Sequence, residues 1–279
     1  MSDAFAHCEA LVRGADRDRF LATLFAPAER RGGLFALYAF ASELARIRDL
    51  AREPLPGEIR LQWWREVLEG ERPGEAAAHP VAAALLATTQ RYGLATEPLL
   101  GMIEARSFDI YGEPMRSLAE LEAYAAATEG ALIAMATCVL EADVSGQAMD
   151  AGAALSLVGV LTALPRHLAR RQLYIPLDVL QRHSAIAEDL FAGKVTAGAR
   201  AALVELRIRA RQHLSTLGKT IAELPTAVLP AFLPLASVAA TLNRMDRADY
   251  DPLRPPEPAA WRRQWRIWRA ARNPRRIVA

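Results

Sequence analysis

Apolar residues recur at three- and four-residue steps along most of this chain, and no stretch alternates β-branched with polar residues at the two-residue period of a strand. The pattern predicts an all-α protein. Asp16 is placed to cap a short helix reaching Phe25, and Pro27 suits the first turn of a long helix ending near Ala51. Pro54, Pro56 and Gly57 should separate it from a helix over 58–69. Helices follow over 80–92 and 97–109, broken by Gly93 and by the turn from Gly112 to Pro114. Ser117 and Glu120 form a capping-box pattern opening a helix to Leu140, and 148–171 is helical with a kink or break at Pro165. The remaining helices are expected over 197–224, 227–245 and 257–273. With no internal repeat and no long linker, residues 1–279 should form a single domain.

Composition narrows the function classes. The chain is 52% hydrophobic, enough for a large core without disulfides. Ala125 to Leu140, taken as the candidate for a membrane span, is interrupted by Glu129 and falls short of the roughly 20 apolar residues required, so no span is expected. Met1 to Asp18 carries four acidic residues and no basic segment followed by an apolar one, so it is no secretory signal, and a cytoplasmic placement is expected. Cys8 and Cys138 allow no cysteine-built zinc site and should be plain thiols. His7, His79, His167, His183 and His213 lack the spacing of metal ligands, so no metal site is expected from them. The formal charge is +2, and Lys194 and Lys219 are the only lysines; no nucleic-acid motif accompanies the arginines, and no nucleic-acid partner is expected.

Several faces admit two readings. Leu34, Leu37, Phe40, Leu44 and Ile47 form one apolar stripe, and Glu43, Arg46 and Asp49 lie opposite it as a solvated face or as part of a site. The small residues from Ala125 to Ala131 fit either close helix packing or a cavity able to hold a prenyl chain. Glu104, Arg106, Asp109 and Glu113 should face solvent. Trp261, Trp265 and Trp268 fall at i, i+4 and i+7 among arginines, so the last helix either docks its indoles on the domain or lays them in an anionic membrane interface.

Two stretches decide more. Gly33-Leu34-Phe35-Ala36-Leu37-Tyr38-Ala39-Phe40 and Arg60-Leu61-Gln62-Trp63-Trp64-Arg65-Glu66 resemble the squalene/phytoene synthase family, supported by Leu24 to Arg30 and by Tyr174-Ile175-Pro176. The similarity is strongest over 20–245. It implies an isoprenoid-synthase-like helical bundle with a central cavity, in which enzymes of the family join two prenyl diphosphates. Their leaving diphosphate is held by magnesium, which needs carboxylates, and two Asp at i and i+4 on each of two facing helices supply them.

This chain departs from that pattern. The first motif falls on Ala45, Arg46 and Asp49, leaving one carboxylate, and the second on Ala163, Arg166 and His167, leaving none. Asp16-Arg17-Asp18-Arg19 stands where synthases carry a His/Ser-rich diphosphate-contacting segment. Arg30, Tyr38, Glu43, Trp63 and Tyr174 match positions expected to be remnants of the cavity or diphosphate site. The stretch from Ser42 to Asp49 is similar to a non-catalytic branch of the family, that of a mitochondrial assembly factor for respiratory complex I and its bacterial relatives. That likeness implies complex I subunits or assembly intermediates as partners and no cofactor. The alternatives are a divergent prenyltransferase using magnesium, and a prenyl-lipid or quinone binding protein.

Overall fold

A computed structural model describes residues 3–50, 53–256 and 259–279, and among these it contains helices and turns but no strand. The chain opens with α1 (Asp3–Ala15), where the pattern predicts no helix: its buried residues, Cys8 and Val12, make too narrow a stripe to show in the sequence. Asp16 caps α2 (Arg17–Thr23) by accepting the Arg19 amide at 3.0 Å. The central helix α3 (Ala28–Leu50) is buried continuously from Gly33 to Ala41, and α1 and two later helices, Pro80–Tyr92 and Ala131–Val139, pack around it. Its expected end at Ala51 lies outside the described residues.

The prolines expected to separate helices sit inside the first turn of α4 (Pro54–Glu69), where a missing N–H costs no hydrogen bond. A short α5 (Pro73–Ala78) leads into α6 (Pro80–Tyr92), which ends on Gly93 in the left-handed conformation that glycine adopts without strain. Next comes α7 (Glu97–Tyr111). Ser117 then caps α8 (Leu118–Ala125), accepting the Glu120 amide at 3.1 Å, while the Glu120 carboxylate accepts the Arg116 amide at 2.6 Å. This helix continues to Val139 as α9 (Ala131–Val139) only through a π-helical turn over Ala126–Gly130.

The predicted break at Pro165 falls between α10 (Ser145–Thr162) and α11 (Leu164–Ala169). Two short helices, α12 (Leu177–Arg182) and α13 (Ala187–Phe191), precede the long α14 (Ala197–Thr220), which packs along α10. The helix expected over 227–245 is instead α15 (Leu229–Phe232), a 3₁₀ stretch over Leu233–Ser237 and α16 (Val238–Met245), because Pro230 and Pro234 each remove a donor. Thr226–Met245 is apolar enough, with a mean hydropathy of 1.5, to match a membrane span by composition, contrary to the sequence expectation; 61% of it is buried within the bundle. Finally α17 (Ala260–Arg272) docks on the 233–237 stretch, with Ile267 and Ala270 buried. Residues 257 and 258 of its expected span lie outside the described residues.

The small residues on α8 and α9 serve close packing. At Gly152 of α10 a Cβ would lie 2.3 Å from the Gly130 nitrogen, so the two backbones touch with no room for a side chain. Phe40 and Trp64 meet edge to face at 4.9 Å, and so the two stretches that carry the family resemblance pack on each other.

Candidate functional site

Between α2, α3, α7, the π turn and α11 lies a cavity of about 690 Å³. Its walls are charged. Arg19 pairs with Asp16 at 2.9 Å and with Glu129, which the π turn carries inward. Burial works against the Arg19 charge, but Glu129 and Asp16 outweigh it and raise its pKa. The guanidinium lies 5.3 Å from the centroid of Tyr38, whose phenol burial pushes up. Arg19 is thus the shared cation that holds the Asp16 and Glu129 carboxylates at this wall of the cavity.

A second network centres on Asp109. Arg106 pairs with it at 3.0 Å, the Tyr124 hydroxyl donates to it at 3.0 Å, and Tyr174 donates a further bond. Gln172 donates to the Tyr174 oxygen at 2.8 Å. Burial, with Tyr124 and Asp109 adding to it, raises the Tyr174 pKa, so this phenol stays a donor. Arg106 and Asp109 therefore turn inward rather than facing solvent as their sequence context suggests, whereas Glu104 and Glu113 are exposed. No sequence signal separates the two pairs, since all four sit in one mixed-charge stretch.

The degenerate motif positions face each other across the cavity. Ala45, Arg46 and Asp49 come from α3, and Arg166 and His167 from α11, while Ala163 occupies the break before α11 and does not line it. Asp49 is held by Arg170, a partner that sequence reasoning misses because the two are 121 residues apart. Arg46 is exposed, and so is Arg166; neither makes an ion pair with a described residue. The His167 ring lies tilted by 45° against Tyr174, their centroids 4.5 Å apart, and its buried Nδ1 has no hydrogen-bond partner among the described residues. Burial, then Arg166, lowers its pKa to about 4, so the imidazole is neutral at pH 7.

Of the residues expected as cavity remnants, Tyr174 lines the cavity and Tyr38 lies beneath it. The other three do not. Arg30 pairs with Glu141 and donates to the Val139 carbonyl at 3.3 Å, fastening α3 to the end of α9. Glu43 and Trp63 border a separate pocket of about 290 Å³ between α3 and α4, with Glu43 3.7 Å from His79 and the Trp63 indole donating to Glu75 at 2.8 Å. Burial raises the Glu43 pKa against the opposing pull of Arg46 and Arg60. Trp261, Trp265 and Trp268 are 63%, 50% and 46% exposed, so α17 docks through its other face.

Residues 12–269 match the family model described as squalene/phytoene synthase. The chain belongs to the squalene/phytoene synthase family. It is 30% identical over 256 residues to NADH dehydrogenase (ubiquinone) complex I, assembly factor 6 of Rattus norvegicus, covering 91% of this chain and 77% of that protein. Against phytoene synthase of Thermus thermophilus it is 29% identical over 205 residues, covering 72% and 69%. In fold it is similar to the squalene synthase HpnC of Alicyclobacillus acidocaldarius, with a TM-score of 0.78 and 22% identity over 90% of this chain and 95% of that one.

Synthases of the squalene/phytoene family imply magnesium, and the donors in this chain do not fit it. Among the described residues no group of three or more Asp, Glu, His or Cys could hold a metal ion. The one motif carboxylate left, Asp49, is neutralised by Arg170, and Arg46 and Arg166 place positive charge where a divalent cation would have to sit. The arrangement suits an anion met directly by guanidinium groups, not a metal-bridged one.

Proposed function

We propose that this chain is a non-catalytic squalene/phytoene synthase-fold protein acting as an assembly or accessory factor for respiratory complex I. Its partners are complex I subunits or assembly intermediates, it uses no metal cofactor, and it works from the cytoplasmic side. The observation that carries the reading is the capture of Asp49 by Arg170, because a magnesium-held diphosphate needs that carboxylate free and others beside it. The 30% identity to an assembly factor supports it.

Deleting the gene should lower assembled complex I and leave cellular prenyl lipids intact, as read by native gels stained for NADH dehydrogenase activity and by lipid extraction from the same cells. Purified protein should give no squalene or phytoene from farnesyl or geranylgeranyl diphosphate with magnesium. Normal complex I with depleted prenyl lipids, or product above a heat-killed control, would replace this reading with that of a divergent prenyltransferase.

One observation favours a second reading, prenyl-lipid or quinone binding. A groove of about 940 Å³ between α10, α16 and α17 offers Leu155, Val158 and Val238 to an apolar chain. Mass spectrometry of lipid that copurifies with the protein tests it.

A further inference from the structure

The last stretch of chain differs electrically from everything before it. Residues 259–279 hold seven arginines, three tryptophans and no aspartate or glutamate, in a chain whose formal net charge is only +2. The other residues carry the remaining 27 of the 34 basic side chains and all 32 acidic ones, a net −5, so the excess of positive charge lies on one helix and the short 3₁₀ turn over Pro274–Ile277 that follows it.

Its geometry sorts the residues into two faces. Ile267, Ala270 and Ile277 are buried against the bundle, and Arg263 pairs inward with Asp18 at 2.5 Å. On the opposite side the three indoles form a strip with 46–63% of their surface exposed. Each indole carries a guanidinium against its ring: Arg262 at 5.3 Å from Trp261, Arg269 at 4.2 Å from Trp265 and Arg272 at 3.5 Å from Trp268. Among the described residues no carboxylate pairs with these three arginines, nor with Arg275 and Arg276. Along the edge of the strip Arg266 is part-buried; burial, Arg244 and Arg262 all lower its pKa, so an incoming anion would relieve repulsion already present.

We propose that the outer face of α17 is a docking surface for an anionic lipid bilayer, independent of the reading given above for the domain. Indoles seat at the boundary of headgroups and acyl chains, where an apolar ring and a polar N–H are both satisfied. The arginines meet the negatively charged headgroups at the same depth. A protein partner would need a large acidic surface with pockets for three indoles. An anionic bilayer meets both demands at once, its interface taking the indoles and its negatively charged headgroups the guanidinium groups, which is why the strip is assigned to it.

The test is flotation of the full chain with phosphatidylcholine vesicles, with and without added phosphatidylglycerol. Binding is expected only to the anionic vesicles and should weaken about tenfold or more when salt is raised well above physiological strength. W261A/W265A/W268A should lose binding by a similar factor while keeping its melting temperature within a few degrees, since the buried residues of α17 are Ile267 and Ala270. R269Q/R272Q/R275Q/R276Q keeps the indoles and should bind neutral and anionic vesicles equally weakly. Equal binding of the unaltered protein to both vesicle types overturns the proposal. So does failure to bind either, including the case in which the protein is instead retained by RNA or an acidic polypeptide. Undiminished binding by the arginine variant has the same consequence.

Discussion

Asp49 on α3 and Arg170 just past α11 form an ion pair across the mouth of the cavity, the one surviving carboxylate of the first motif held by a cation from the strand of chain that follows the second. Both side chains are about 40% exposed, at 42% and 37%, so the pair contributes little to stability, on the order of 1 kcal/mol or less. Its consequence is electrostatic. The negative charge that would draw a divalent ion is cancelled where it is generated.

Restoring the carboxylates should restore the metal. The variant A45D/R46A/R166A/H167D/R170A places acids on both walls of the cavity, removes the cations beside them and frees Asp49, which in the unaltered chain is paired with Arg170. Millimolar magnesium should raise the melting temperature of the variant by about 3 °C, as expected for a ligand near ten times its dissociation constant, and leave the unaltered protein where it is. Differential scanning calorimetry with and without magnesium checks this. An equal upward shift in the unaltered protein would mean that a metal site persists.

His167 should make stability depend on pH. Its folded pKa is about 4 against an ordinary value of 6.5, so on acidification the unfolded chain takes up this proton first. The contribution is therefore present in full above about pH 6.5 and is lost as pH falls toward 4, up to about 3 kcal/mol. Urea denaturation at several pH values, compared with His167→Gln, isolates this part from the carboxylates. The difference in slope between the two proteins should lie within that window, and parallel profiles would show that the imidazole titrates normally.

Two glycines on α10 should respond in opposite directions. Gly152→Ala drives a methyl group into the Gly130 backbone and should cost about 3 kcal/mol or prevent folding. Gly159 is exposed on the same helix with nothing within 4 Å of its Cβ position, so Gly159→Ala should stabilise by about 0.5–1 kcal/mol. Chemical denaturation of both measures the contrast. Similar effects at the two sites would remove the close approach of α10 and the π turn.

What the sequence determined by itself was whatever acts within a turn of helix. Asp16 and Ser117 begin helices because their side chains accept the amide three residues on, Gly93 ends one because it adopts a positive φ freely, and Pro165 breaks one because it lacks a donor. The family motifs, and the loss of all but one carboxylate from them, were equally legible, since both are facts about residue order. Periodicity also placed the three tryptophans on one face. It did not say which face of α17 the bundle would take, and there the smaller Ile267 and Ala270 won the closer approach. The rest needed the tertiary structure. Glu129 reaches Arg19 because a π turn rotates it inward, Asp49 meets Arg170 across 121 residues, and Arg106 and Asp109 bury together although their exposed neighbours are of the same kind. A charged side chain carries no local mark of its partner. Its choice is set by which groups are desolvated together once the helices pack, and only the packed molecule decides that.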